Sequence, residues 1–154
     1  MTGTIETRLG EMGVVLPDAP APAANYVPYV VVGDIVYVSG QISRDDTGLI
    51  TGKVGDDLTT EQGAAAAKTC AIALLAQVKE ACHGDLDRLV RVIKLTGFVN
   101  SHGDYTEQPQ VINGASDFLG DALGDAGRHA RSAVSAGALP LNVAVEIEGI
   151  FQIK

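Results

Sequence analysis

Apolar positions along this chain recur with two periods, and each change of period marks an element. Residues 60–82 carry Ala64, Ala67, Ala71, Leu74, Val78 and Cys82 at helical spacing, which makes one apolar stripe. Thr59 and Gln62 form a candidate capping box ahead of it, and Gly84 suits the C′ position behind it. A second helix is expected after Pro109, with Val111, Ile112, Ala115, Phe118, Leu119 and Ala122 on its apolar face and Gly114 and Gly120 weakening it. Other segments are short and rich in Val, Ile and Tyr. Tyr29–Val32 and Ile35–Gly40 read as a hairpin about a Gly33-Asp34 turn. Leu89–Val99 reads as a long strand, apolar on both faces, and Ala130–Val134 and Val143–Ile153 as two more. Residues 43–58 form a Gly/Asp-rich loop. Ahead of the first strand, residues 4–13 suit a short amphipathic helix with Thr4 as N-cap and Gly13 as stop, and PDAPAPAAN (17–25) an extended arm.

The order β-β-α-β-α-β-β implies an α+β fold: one mixed sheet with both helices on one face. Strands apolar on both sides need cover on the other face too, and no segment remains to give it. Another copy of the same chain is the simplest cover. The length of 154 residues suits a single domain over 1–154, with an N-terminal helix and arm at about 1–25.

Charge narrows the partners. The net charge of −8 repels phosphate backbones, so neither nucleic acid nor an anionic membrane is an expected partner. No apolar run has the length of a membrane span. The N-terminus lacks the basic and apolar regions of a signal peptide, which points to the cytoplasm. Cys70 and Cys82 fall in one expected helix, roughly 18 Å apart at 1.5 Å per residue, too far to pair with each other. Free thiols suit a reducing compartment.

Three clusters carry candidate chemistry. Arg131 stands inside an otherwise apolar strand, where its fork would bind a carboxylate or pair with Glu146 or Glu148. In VEIE, alternation puts Glu146 and Glu148 on one sheet face, either as solvated charge or as a proton relay. If 130–134 and 143–147 pair antiparallel with Val134 opposite Val143, Arg131 lies opposite Glu146. In PYVVVGDIVYVSGQIS, Tyr29 offers either a core ring or a pocket hydroxyl, and Gly40 permits close backbone approach to a ligand. The histidines His83, His102 and His129 show no ligand spacing, and no metal site is expected. His102 and Asp104 share a loop, a setting of solvated polarity more than of a dyad. No phosphate-binding or nucleophile-elbow motif is present.

ARSAVSAGALPLNVAVEIEGIF (130–151), PYV with VSGQI (28–42) and VINGASDFL around Asn113 resemble the signature of the YjgF/RidA family, the reactive intermediate deaminases or L-PSP proteins. The similarity covers residues 25–153 or so. It implies a chorismate-mutase-like fold and a homotrimer with ligand clefts between subunits. It also implies hydrolysis of 2-imino or enamine acids to 2-keto acids and ammonia, with no cofactor. By the same resemblance, Arg131 would clamp the substrate carboxylate and Glu146 would position or activate water. Tyr29 would line the pocket, backbone near Ala133 would meet the imine nitrogen, and Asn113 would stand near the subunit contact. Ala133 occupies a position where deaminase members often have Cys, and the arm before Tyr29 is longer than in compact members, which marks a divergent subgroup. A non-catalytic sensor of small carboxylates is the second reading, and a ribonuclease or translation inhibitor the third.

Overall fold

The computed structural model describes residues 3–154. Met1 and Thr2, at the head of the expected N-terminal segment, lie outside the described residues. Along the chain run α1 (Thr4–Glu11), β1 (Tyr29–Val32), β2 (Ile35–Ile42), β3 (Arg44–Asp45), β4 (Gly48–Leu49), α2 (Thr60–Ala81), β5 (Leu89–Asn100), α3 (Gln108–Leu123), β6 (Ala130–Ala136) and β7 (Val145–Ile153). The expected element order is therefore observed, with one addition: the loop after β2 folds back on itself as the small β3–β4 hairpin.

Helix ends show how local sequence sets the boundaries. At the start of α2, the Gln62 N–H donates to Thr59 Oγ1 at 3.1 Å, and the Thr59 N–H donates back to Gln62 Oε1 at 2.8 Å. At its far end the left-handed C′ residue is His83, with φ 55°, rather than the expected Gly84. His83 N–H bonds the Glu80 carbonyl and Gly84 N–H the Lys79 carbonyl, both at 2.9 Å, which satisfies two carbonyls the helix leaves open. Thr4 is not the N-cap of α1. Gly3 holds that place, and the carboxylate of distant Asp87 accepts from the Thr4 and Ile5 N–H groups at 2.7 and 2.9 Å.

The five long strands form one sheet in the order β1-β2-β7-β5-β6. β5 and β6 are parallel neighbours, with α3 as the crossover between them. α2 joins β2 to β5, and β7 inserts between those two strands, antiparallel to both. The antiparallel pairing expected between 130–134 and 143–147 is absent. Arg131 lies opposite Leu95 on β5, and β5 separates β6 from β7. A strand delivered by a crossover helix must run parallel to the strand it left, so α3 forbids the hairpin that proximity in sequence suggested.

α2 and α3 cover one face of the sheet. The expected face of α3 is buried in full, from Val111 to Ala122, while α2 is buried on most of its circumference. Against them lie the odd residues of β7 (Val145, Ile147, Phe151, Ile153) with Val36, Val38, Leu95 and Val99. Gly114, which costs α3 intrinsic stability, is the point where the two helices touch: a Cβ there would stand 1.9 Å from the Ala64 carbonyl oxygen.

The opposite face carries Val30, Val32, Tyr37 and Val134, all exposed, because each alternates with or pairs beside residues aimed at the helices. A single chain thus leaves an apolar sheet face open to water.

Candidate functional site

Glu146 belongs to that open face, with Glu148, Ile150 and Gln152 along the same strand. It sits opposite Ile42 on β2 and Phe98 on β5. β2 has an extra residue between Val38 and Gln41, and this bulge brings Gly40 against Glu146. A Cβ on Gly40 would lie 2.8 Å from Glu146 Oε1, so glycine makes room for the carboxylate. Beyond them opens a cavity of about 600 Å³, lined by arm residues 20–24, Tyr26, Gly40, Arg44, Leu141 and Glu146.

The arm is tied down over this cavity. Gln77, wholly buried on α2, donates through Nε2 to the Pro20 carbonyl at 2.7 Å, and Ser39 Oγ donates to the Val27 carbonyl at 2.9 Å. Leu141 projects from the loop before β7 in a left-handed conformation, φ 58°. Partial burial, and secondarily the charge of Glu148, hold the Glu146 carboxyl above the ordinary glutamate range. A group so shifted exchanges protons more readily near neutrality than a free glutamate does.

Arg131 occupies a different setting. On β6, Arg131, Ala133 and Ser135 share the face of Leu95, Gly97 and Val99, which is the helix side. Its guanidinium turns toward α3, where Nη1 donates to Ser116 Oγ at 2.9 Å and Nη2 to the Pro109 carbonyl at 3.2 Å. Ser116 Oγ also lies 2.9 Å from His129 Nε2, and His129 Nδ1 lies 2.6 Å from the Gly127 carbonyl. Among the described residues no carboxylate forms an ion pair with Arg131, so neither Glu146 nor Glu148 is its partner. As an edge strand, β6 also keeps one row of backbone groups unpaired.

The structure therefore brings Gly40 and Glu146 together, and Arg131 and Ala133 together, but within one chain sends the two pairs to opposite faces of the sheet. Tyr29 joins neither. It lies on the helix side of β1, at the far edge, lining a smaller cavity of about 410 Å³ with His83 and Arg88. Burial, and then Glu80, raise its hydroxyl pKa. Tyr26, at the end of the arm, is the tyrosine that reaches the Glu146 cavity; the arm lacks the alternation that would have assigned it a face. Arg44 falls in the stretch expected as loop, and Ser116 carries no sequence signal beyond being a polar position on the second helix. His102 bonds Asp56 at 3.1 Å, on the surface, and not Asp104. Asn113 is exposed on α3. Cys70 and Cys82 are free and buried. Among the described residues no three His, Cys, Asp or Glu side chains gather as metal ligands, and no helix is long and apolar enough to cross a membrane.

Three comparisons bear on this geometry. The model of a family described as YjgF/chorismate mutase-like, putative endoribonuclease, matches residues 6–151. Protein TCP17 of Trypanosoma cruzi is 45% identical, over 99% of this chain and 96% of its own. The crystal structure of Atu1372, a protein of unknown function from Agrobacterium tumefaciens, superposes with a TM-score of 0.90 at 48% identity, covering 97% of this chain and 92% of that one. RidA from the Antarctic bacterium Psychrobacter sp. PAMC 21119 superposes less closely, with a TM-score of 0.61 at 28% identity, covering 88% and 94%.

Proposed function

The chain belongs to the YjgF/chorismate-mutase-like family, and on that footing we propose that it hydrolyses 2-imino or enamine acids to 2-keto acids and ammonia, in clefts between subunits of a homotrimer. The observation that carries the reading is Arg131: a partly buried guanidinium on an edge strand, held among the described residues by neutral groups and paired with no carboxylate there. Such a cation calls for an anion from elsewhere.

In this reading Arg131 of one subunit anchors the substrate carboxylate, and the unpaired backbone beside Ala133 meets the nitrogen. The adjoining subunit supplies Glu146, Gly40 and Tyr26. Glu146 takes a proton from water as the water oxygen adds to the C=N carbon and passes it to the nitrogen, giving a carbinolamine. It then takes the hydroxyl proton as the C=O bond forms and delivers it to the nitrogen as the C–N bond breaks. Water is consumed, and ammonia and the keto acid leave. The raised Glu146 pKa supports that exchange. The open apolar face supports association of copies, and two buried free thiols support a cytoplasmic setting. An endoribonuclease activity has less support, since a charge of −8 opposes RNA.

The experiment is a coupled assay in which an imino acid is generated freshly and keto-acid release is followed. The wild-type protein is expected to accelerate release over buffer. No acceleration, with pyruvate still bound at Arg131, would leave the protein a carboxylate receptor and not a deaminase.

A further inference from the structure

The Arg131 guanidinium is seated by more than its own strand. Arginine only donates hydrogen bonds, so Ser116 Oγ must accept from Nη1 at 2.9 Å. Its other partner is His129 Nε2, also at 2.9 Å. A carbonyl only accepts, so Nδ1 carries a proton and donates it to the Gly127 carbonyl at 2.6 Å; in the neutral ring Nε2 is then the acceptor for the Ser116 hydroxyl. One neutral tautomer satisfies every bond in this chain of four groups. Burial, and secondarily the charge of Arg131, keep the His129 pKa below its ordinary value, consistent with that tautomer.

Resting on the reading of Arg131 as carboxylate anchor, we propose that Ser116 and His129 are positioning residues, a hydrogen-bonded pair that fixes the guanidinium so that its unspent donors face the ligand. The guanidinium has five N–H donors; one goes to Ser116 and one to Pro109, and no acceptor among the described residues takes the others. A long, flexible side chain gains most from such seating, because its rotamers are restricted before the ligand arrives. The surroundings add no competing carboxylate to the chain of bonds. α3 contributes the Ser116 hydroxyl, the 3-10 turn Gly124–Gly127 a carbonyl, and β6 Arg131 itself, while Arg91 of β5 is engaged at the Arg128 carbonyl. Ser116 is not placed to act as a nucleophile: its oxygen already accepts from Arg131, and neither cavity described above opens onto it.

The test is calorimetric binding of pyruvate to the full-length protein and to Arg131→Ala, Ser116→Ala, Ser116→Thr, His129→Phe and His129→Gln, each checked by thermal melting. Arg131→Ala is expected to abolish measurable binding. Ser116→Ala and His129→Phe are each expected to weaken it about tenfold, the scale of one lost hydrogen bond to a charged group. Ser116→Thr, which keeps the hydroxyl, and His129→Gln, which keeps an acceptor, should bind within about threefold of wild type, since their net hydrogen bonds are retained. If Ser116→Ala melts early, the Phe and Gln variants of His129 decide. Unchanged or tighter binding in Ser116→Ala and His129→Phe, with binding lost in Arg131→Ala, overturns the positioning role alone. Wild-type binding in Arg131→Ala removes the carboxylate anchor, and this inference falls with it.

Discussion

The Arg131 and Glu146 regions differ in nearly every respect that physics can vary. Arg131 stands on an edge strand, faces the helices, and is fixed by two neutral acceptors. Glu146 stands on an inner strand, faces away from the helices, and looks through a bulge into a cavity roofed by the arm. The first is a rigid cation with spare donors, and the second a carboxyl whose proton is held more firmly than usual. Under the proposed function the difference becomes a division of labour: one region suits grip and the other proton transfer, on opposite faces of the sheet that a neighbouring copy would unite.

That contrast predicts separable kinetic defects. Glu146→Gln should lower kcat by about 10²–10⁴-fold with KM little changed, the usual span for losing an acid–base group. Steady-state rates on a freshly generated imino acid check it. Arg131→Ala should instead weaken pyruvate binding by about 100-fold or more, as truncating one member of a desolvated charge pair does. Equal effects of the two substitutions on binding would erase the distinction. Gly40→Ala drives a methyl into the Glu146 carboxylate, which can swing aside, so kcat should fall by about tenfold while pyruvate affinity stays, the pattern of a displaced transition-state contact.

Two smaller effects sharpen the same picture. The raised Glu146 pKa means the folded protein holds that proton more tightly than the unfolded chain does. The resulting stabilisation is complete below the ordinary glutamate pKa and is lost as pH rises through the shifted value. Glu146→Gln, which cannot ionise, should therefore melt slightly above wild type at pH 7, and the difference should vanish at pH 4 in scanning calorimetry. Finally, Tyr26→Phe should alter kcat or KM severalfold at most, while Tyr29→Phe should alter neither, because only Tyr26 lines the Glu146 cavity.

Local signals carried far in this chain. The α3 stripe from Val111 to Ala122 and the Thr59–Gln62 box stand as the periodicity implied, because helix boundaries depend on neighbours a few residues away. Alternation likewise placed Glu146 and Glu148 on one face. The relation of Arg131 to Glu146 was not legible, since it depends on which strand β6 joins, and the α3 crossover decided that against the nearer partner β7. The positions of Tyr29 and Tyr26 were not legible for a related reason: the face of Tyr29 follows from its register against Val38, and the fold of the arm depends on distant Gln77.

The most direct measurement is subunit complementation. Arg131→Ala and Glu146→Gln proteins, each inactive alone, are unfolded together and reassembled at equal amounts. Clefts that take Arg131 from one copy and Glu146 from the next should restore about a quarter of wild-type deaminase activity, the share of intact clefts expected from random mixing around a closed ring. A mixture as inactive as its two components, despite proven exchange of subunits, would contradict the shared cleft.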